Sequence, residues 1–406
     1  MKKVTLVKVN YFLIAITLFL TLFIISQIYF DVSPRGSIYQ VNKKLIQPIL
    51  GKNEAVDLMP TENHKFIATL QRWSTNFGKR EVVDLFHQEN YGIIDALNIT
   101  SEYGWYPDKD LTTFKSELTP KIIETFGIHE LNEKPQTIDS DVNDKKDGIK
   151  YQKMYLKGYD GLEIPVMQFF PTNFDPNNLH HTIIVFSGNG GYENVNFKKR
   201  SYQHAAALEL AKAGYLVFSM ENRGMGELAY LGHYLRIDGV ARLTGGSYFG
   251  EIITDGLFLS EYVSSLEYVD KDRIGAAGVS LGAALSLFTA VIDERIKAVY
   301  YQGYFGSYKT TWATRANHGM QINVCGVLNI ADLNDIAGLI VPRDLLIVNG
   351  DLDTTFSSDA KKEFEKLKSI YTAYDAENNV AFKEPEGVGH EFSTDIAIDF
   401  FNEVLR

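Results

Sequence analysis

The chain has 406 residues, 45% of them hydrophobic and 22% charged, the composition of a globular protein with room for one large domain and an appendage. A formal net charge of -11 denies it the basic face that phosphate binding needs, which excludes a general nucleic-acid binder. The sole cysteine, Cys325, excludes an internal disulfide and a cysteine-built metal cluster, and its apolar neighbours Val324 and Val327 predict a small buried hydrophobe.

Residues 11–30 carry no charge and are dominated by Leu, Ile and Phe. At about 1.5 Å per residue they reach about 30 Å, enough to cross a hydrocarbon core. Lys2, Lys3 and Lys8 precede the run, so the N-terminus is expected to stay cytoplasmic and the rest to be exported. A cleaved signal peptide has an apolar region of about 7–15 residues and a small-residue cleavage site. Here the run is longer and ends in Ile28-Tyr29-Phe30, which favours an uncleaved signal anchor over residues 1–30. Cleavage would make the protein secreted; retention makes it a single-pass membrane protein facing the extracytoplasmic side.

Residues 31–147 read as a mainly helical extension. Apolar residues recur at helical spacing in residues 65–73 and 80–97 and, after Pro120, in residues 121–126. The polar run at residues 139–148 marks a domain boundary or an exposed loop. Asn98-Ile99-Thr100 fits a glycosylation sequon, which matters only in a eukaryotic secretory pathway.

From Gly148 to Arg406 the pattern changes. Residues 149–156 and 162–170 flank Lys157-Gly158-Tyr159-Asp160-Gly161 and predict a hairpin. Residues 182–186 are an uninterrupted β-branched and aromatic run of the kind found in strands covered on both faces, and residues 215–220 predict another buried strand. Further strands are expected at residues 273–277, 296–301, 344–348 and 380–383, with helices at residues 203–213, 250–266, 283–290, 359–371 and 392–405. Such alternation predicts an α/β fold, a mostly parallel sheet with helices on both faces. Ligands of such sheets bind beyond the carboxyl ends of the strands.

The chemistry-bearing residues follow those ends. After residues 182–186 comes Ser187-Gly188-Asn189-Gly190-Gly191, a turn able to aim N–H groups at a developing oxyanion. After residues 273–277 comes Gly278-Val279-Ser280-Leu281-Gly282, a serine on a tight strand-to-helix turn between two glycines, the nucleophile-elbow pattern. Asn349-Gly350-Asp351-Leu352-Asp353 puts two carboxylates after the next strand but one, and Glu386-Gly387-Val388-Gly389-His390 ends the series. A serine hydroxyl becomes a nucleophile when a neutral imidazole takes its proton, and a carboxylate then stabilises the imidazolium. His318 is the alternative base; His180 and His181 precede a strand, at the wrong end of the sheet. Glu221 has no assigned role.

Residues 148–406 resemble the α/β-hydrolase superfamily, and within it the dienelactone-hydrolase and acetyl-xylan-esterase type. Beyond the elbow, three segments carry the likeness: Asn222-Arg223-Gly224-Met225-Gly226, Val269-Asp270-Lys271-Asp272-Arg273-Ile274, and Val341-Pro342-Arg343-Asp344-Leu345-Leu346-Ile347-Val348-Asn349-Gly350. The resemblance implies an α/β-hydrolase fold and a Ser280-Asp353-His390 triad. In that family the acid falls three residues after the glycine, which implies Asp353, with Asp351 as its competitor. Ser187-Gly188 stands where the family has His-Gly, and Asn222 where it has aspartate. The expected oxyanion donors are the backbone N–H groups of Asn189 and Leu281. Arg223 is expected to form structural ion pairs. The insertion at residues 303–340, with Tyr304, Phe305, Trp312 and His318, is expected either to cover the site in part or simply to pack.

The resulting expectation is a serine hydrolase that cleaves carboxylic esters, acetyl esters among them, through an acyl-enzyme intermediate, with no metal or organic cofactor. Its partners would be a small-molecule or glycan ester and, through the N-terminal helix, a membrane. The alternatives are a serine peptidase of the same fold and a non-catalytic hydrolase-like binding module.

Overall fold

The computed structural model describes residues 101–309, 323–353 and 360–406. All of these belong to one compact unit, His64–Arg406. The expected anchor at residues 11–30, the expected helices at residues 65–73 and 80–97, and Trp312 and His318 lie outside the described residues. Among the described residues no helix is long and apolar enough to cross a membrane.

Nine strands form one sheet among the described residues: β1 Gln136–Lys146, β2 Ile149–Lys157, β3 Glu163–Phe170, β4 His180–Phe186, β5 Leu216–Met220, β6 Val269–Val279, β7 Ile296–Gln302, β8 Asp344–Val348 and β9 Val380–Lys383. Their order is β1-β2-β3-β5-β4-β6-β7-β8-β9. Pairings are antiparallel as far as β3–β5 and parallel from β5–β4 onward. Among the described residues, the helices that build the cores on the two faces of the sheet include α1 Leu111–Phe126, α2 Ala206–Lys212, α3 Tyr248–Ser265, α4 Leu281–Ile292, α5 Ala360–Ala373 and α6 Thr394–Val404.

The period of two along a strand divides its apolar residues between two cores. Ile184, Phe186, Phe218, Ile274, Ala276, Val299, Leu345 and Ile347 face α1, α3, α4 and α5. Ile183, Val185, Val217, Ala277, Ala298, Leu346 and Val348 face α2 and α6. Each fully buried Val, Leu, Ile or Phe contributes about 1.5–3 kcal/mol, and over residues 182–186, 216–220, 274–279, 298–302 and 345–348 these central strands leave no position to solvent. That is why the sequences of those stretches are largely apolar rather than alternating.

Two expectations are corrected on the antiparallel side. The polar stretch at residues 139–148 is strand β1 and a tight turn, not a loop or boundary; the division drawn at Gly148 falls in the Asp147-Gly148 turn of the β1–β2 hairpin. Both turn residues have positive φ, 50° and 84°, as a two-residue hairpin turn requires. β1 is an exposed edge, where polar side chains deter pairing with other chains, so burial leaves no apolar signal to read. Lys199 and Lys212 close on Asp147 at 2.7 and 2.9 Å and hold its carboxyl down, at about 2.

The helix expected after Pro120 begins earlier. Asp110 caps α1 by accepting from the Thr113 N–H at 2.9 Å. Phe114, Leu118, Ile122 and Phe126, four apart, then form one buried stripe through the proline. The helical bond that Pro120 cannot make belongs to the carbonyl of Ser116, an exposed residue, which water can satisfy. The end of α1 is built into the core beside α3: Ser247 Oγ donates to the Phe126 carbonyl at 2.8 Å, and a Cβ on Gly250 would lie 2.0 Å from that oxygen. Helix α1 of the N-terminal extension therefore packs as core, whereas β1 stays at the exposed edge.

Candidate active site

The elbow closes by backbone contact. Ser280 links the end of β6 to the start of α4 with φ 63° and ψ −127°, a strained conformation that costs about 1–3 kcal/mol. A Cβ on Gly278 would lie 2.2 Å from the carbonyl carbon of Gly282, and one on Gly282 would lie 2.2 Å from the Phe186 carbonyl oxygen of β4. Only glycine fits either position. The Ser280 N–H donates to the Gln302 carbonyl at the end of β7, 2.9 Å away.

Gln302 is followed by Gly303 (φ 71°), and the other two expected groups converge there. His390 Nδ1 lies 2.9 Å from Asp353 Oδ2, with both residues buried. A Cβ on Gly303 would come within 3.0 Å of Asp353 Oδ2 and 3.2 Å of His390 Nδ1. Ser280 thus bonds to one residue of the β7 end while the His390–Asp353 pair packs on the next. Asp351 is engaged elsewhere: its Oδ1 accepts from the Gly387 N–H at 2.7 Å and its own N–H donates to the Pro385 carbonyl at 3.2 Å. With Leu352 N–H donating to the Val388 carbonyl at 3.0 Å, these bonds zip the loop after β8 to the loop after β9. His180 and His181 sit at the start of β4, at the other end of the sheet.

The glycine-rich turn after β4 abuts the elbow strand: a Cβ on Gly188 would lie 2.9 Å from the Val279 carbonyl. Asn189 is exposed, and Leu281 is the first residue of α4, whose N–H has no acceptor within the helix. Asn222 Nδ2 donates to the Ser187 carbonyl at 2.9 Å, which an aspartate at this position could not do. Arg223 pairs with Asp255 at 2.7 Å and with Asp160 of the β2–β3 turn at 2.6 Å, tying that turn to α3.

Glu221 has a role that the sequence did not disclose. Fully buried, it accepts from the N–H groups of Tyr192, Asn222 and Glu227 at 3.0, 3.1 and 3.3 Å. It thereby clamps the loop after β4 to the loop after β5. Burial pushes its carboxyl up to about 7, against the downward pull of those three bonds. In the sequence it shows only as a carboxylate directly after an expected strand, which is an ordinary arrangement.

Two further positions need correction or limits. Cys325 is exposed, not buried, because Val324 and Val327 take the inward positions around the Gly326 turn. Tyr304 and Phe305 are buried packing residues, and Asp332 holds the segment beyond them by accepting from Ser307 Oγ at 2.5 Å and the Tyr308 N–H at 2.6 Å. Among the described residues no group of three His, Cys, Asp or Glu side chains is arranged to hold a metal ion.

The sequence family described as Acetyl xylan esterase (AXE1) matches residues 109–321, more than half of the chain. That stretch includes Ser280; Asp353 and His390 lie beyond it. YtaP of Bacillus subtilis (strain 168), assigned to the hydrolases, is 29% identical over 173 residues, 41% of this chain and 57% of that protein. A protein of Ajellomyces capsulatus (strain H88) assigned as dipeptidyl-aminopeptidase B is 24% identical over 258 residues, 60% of this chain and 27% of that one. The chain therefore spans little more than half the length of the first relative and about a quarter of the second. The crystal structure of a protein from Bacteroides fragilis NCTC 9343, assigned as an acetyl xylan esterase, superposes with a TM-score of 0.66 at 16% identity, over 78% of this chain and 94% of that one. At that identity the superposition establishes the shared α/β fold.

Proposed function

The chain belongs to the acetyl xylan esterase family, and from that premise we propose that it is a serine esterase acting through Ser280, His390 and Asp353. The observation that carries the reading is the 2.9 Å contact between His390 Nδ1 and Asp353 Oδ2. A carboxylate there keeps the ring proton on Nδ1 and leaves Nε2 as the base. Nε2 takes the proton of Ser280 Oγ as that oxygen bonds to the ester carbonyl carbon. The Leu281 and Asn189 N–H groups receive the resulting oxyanion. His390 returns the proton to the leaving alcohol as the ester C–O bond breaks, leaving an acyl-serine. Water, deprotonated by His390, then releases the acid and restores Ser280.

The substrates proposed are acetyl esters on carbohydrates, in keeping with the family. The apolar run at residues 11–30 supports a signal anchor that holds the hydrolase domain on the extracytoplasmic side of the membrane. Labelling by a fluorophosphonate probe tests the chemistry: wild type labels, and Ser280→Ala does not. A chain-length series of p-nitrophenyl esters tests the substrate class, with acetate expected to be cleaved fastest. Retention in the membrane fraction after alkaline washing, lost on removing residues 1–30, is expected for the anchor.

The likeness to the dipeptidyl-aminopeptidase favours a second reading, a peptidase built on the same site. Dipeptide p-nitroanilides cleaved faster than p-nitrophenyl acetate would replace the esterase reading with that one.

A further inference from the structure

The turn after β4 is gripped by a segment without an assigned role, Tyr202-Gln203-His204-Ala205. His204 and Ala205 have φ of 50° and 53°, the left-handed region that side chains other than glycine seldom adopt. Strain of this kind persists where the surroundings over-determine the backbone.

The Gln203 side chain is fully buried, and its carboxamide makes two bonds to the turn. Oε1 accepts from the Gly188 N–H at 2.8 Å, and Nε2 donates to the Asn189 carbonyl at 3.3 Å. Tyr202 Oη donates to the same carbonyl at 3.0 Å. The Asn189 N–H belongs to the peptide between Gly188 and Asn189. Gln203 holds the peptide before it through the Gly188 N–H and the peptide after it through the Asn189 carbonyl. The donor peptide lies between two anchored neighbours, so its plane has little freedom to rotate.

The same segment also grips the loop that carries His390. The Tyr202 carbonyl accepts from the Phe392 N–H at 2.7 Å. The Tyr202 ring stacks on the His390 imidazole, with centroids 5.8 Å apart and planes 18° from parallel. His204 Nε2 lies 2.9 Å from Glu391 Oε2.

We infer that Gln203, assisted by Tyr202, is a positioning residue that presets the Asn189 N–H as an oxyanion donor and keeps it in register with His390. The inference rests on the esterase reading. A preset donor gains strength as charge develops on the carbonyl oxygen, and contributes little when the neutral ester binds. Its loss therefore belongs in kcat and not in KM.

Steady-state hydrolysis of p-nitrophenyl acetate by the full chain tests this. Gln203→Met removes both bonds at similar volume; kcat is expected to fall about 30- to 100-fold, with KM within about two-fold of wild type. Affinity for a phenylboronic acid, which forms a tetrahedral adduct on Ser280, should fall by a similar factor. Tyr202→Phe keeps the ring on His390 and removes the bond to the Asn189 carbonyl, for an expected loss of about three- to ten-fold in kcat at constant KM. Should Gln203→Met fail to fold, Tyr202→Phe decides. Wild-type kcat in the folded variants, a change confined to KM, or undiminished boronate affinity overturns the inference while Ser280 still labels. A wild-type chain that neither labels at Ser280 nor cleaves the ester sinks the esterase reading, and this inference with it.

Discussion

At the elbow, Ser280 is held by contact between backbones: Gly278 meets Gly282, Gly282 meets the end of β4, and neither approach leaves room for a Cβ. Beside it, the turn after β4 and the loops after β5, β8 and β9 are held by side chains that reach in from elsewhere. Asn222, Glu221, Gln203 and Asp351 each satisfy peptide groups of a neighbouring loop. The first arrangement works by exclusion and needs only small residues close together in sequence. The second works by satisfying buried polar groups and needs partners distant in sequence. A steric arrangement should therefore break through stability, and a hydrogen-bonded one through activity and pH dependence.

The largest expected effect falls on the hydrogen-bonded side. Asp353→Asn leaves the shape of the pair but favours the wrong imidazole tautomer, so kcat should drop about 10⁴-fold while the thermal midpoint moves little. A variant that unfolds instead would place the His390–Asp353 pair among the structural contacts. Gly282→Ala should behave in the opposite way. Its Cβ would meet the Phe186 carbonyl at 2.2 Å, both atoms belong to rigid elements, and a stability loss of about 3 kcal/mol is expected in urea denaturation. Near-wild-type stability would show that the elbow relaxes and is not held by exclusion.

Glu221 distinguishes the two arrangements by pH. Burial raises its folded-state carboxyl from the ordinary 4.5 to about 7, so the folded chain favours the protonated form. The associated stability is fully present below about pH 4.5 and is lost as pH rises through about 7, on the order of 3 kcal/mol in all. Glu221→Gln should flatten that part of the curve of midpoint against pH; an unchanged slope would assign it to other groups. The smallest effect lies at the start of β8, away from both loops. Burial, with Glu403 nearby, raises Asp344 to about 6, so its charge works against folding above that pH. At this half-buried position screening leaves about 1 kcal/mol or less, and Asp344→Asn should raise the midpoint slightly at pH 8 but not at pH 4.

Legibility followed burial and distance along the chain. β4, β5, β7 and β8 appear in the sequence as largely apolar, β-branched and aromatic stretches because both faces are covered along most of their length, and the observed strands match the expected ones closely. β1 was misread because an exposed edge strand looks like a polar loop. The early start of α1 was missed because a proline usually opens a helix, whereas here the Phe114–Phe126 stripe runs through it. His390 and Asp353, selected by position after strands and by family likeness, lie 2.9 Å apart. Gln203 and Glu221 carried no comparable mark, since a glutamine near a helix start and a glutamate after a strand are ordinary in sequence.

By itself the sequence determined what depends on near neighbours: the strand and helix periods, the glycine spacing that permits an elbow at Ser280, and the order of serine, acid and histidine. Only the tertiary structure decided which carboxylate meets His390, that Asp351 serves a loop, and that Gln203 and Glu221 hold the turn after β4. Those outcomes are set by hydrogen bonds between residues up to 37 positions apart, the separation of His390 and Asp353, for which composition and spacing leave no trace. The elbow differs because its constraint is steric and local, and five consecutive residues are enough to write it.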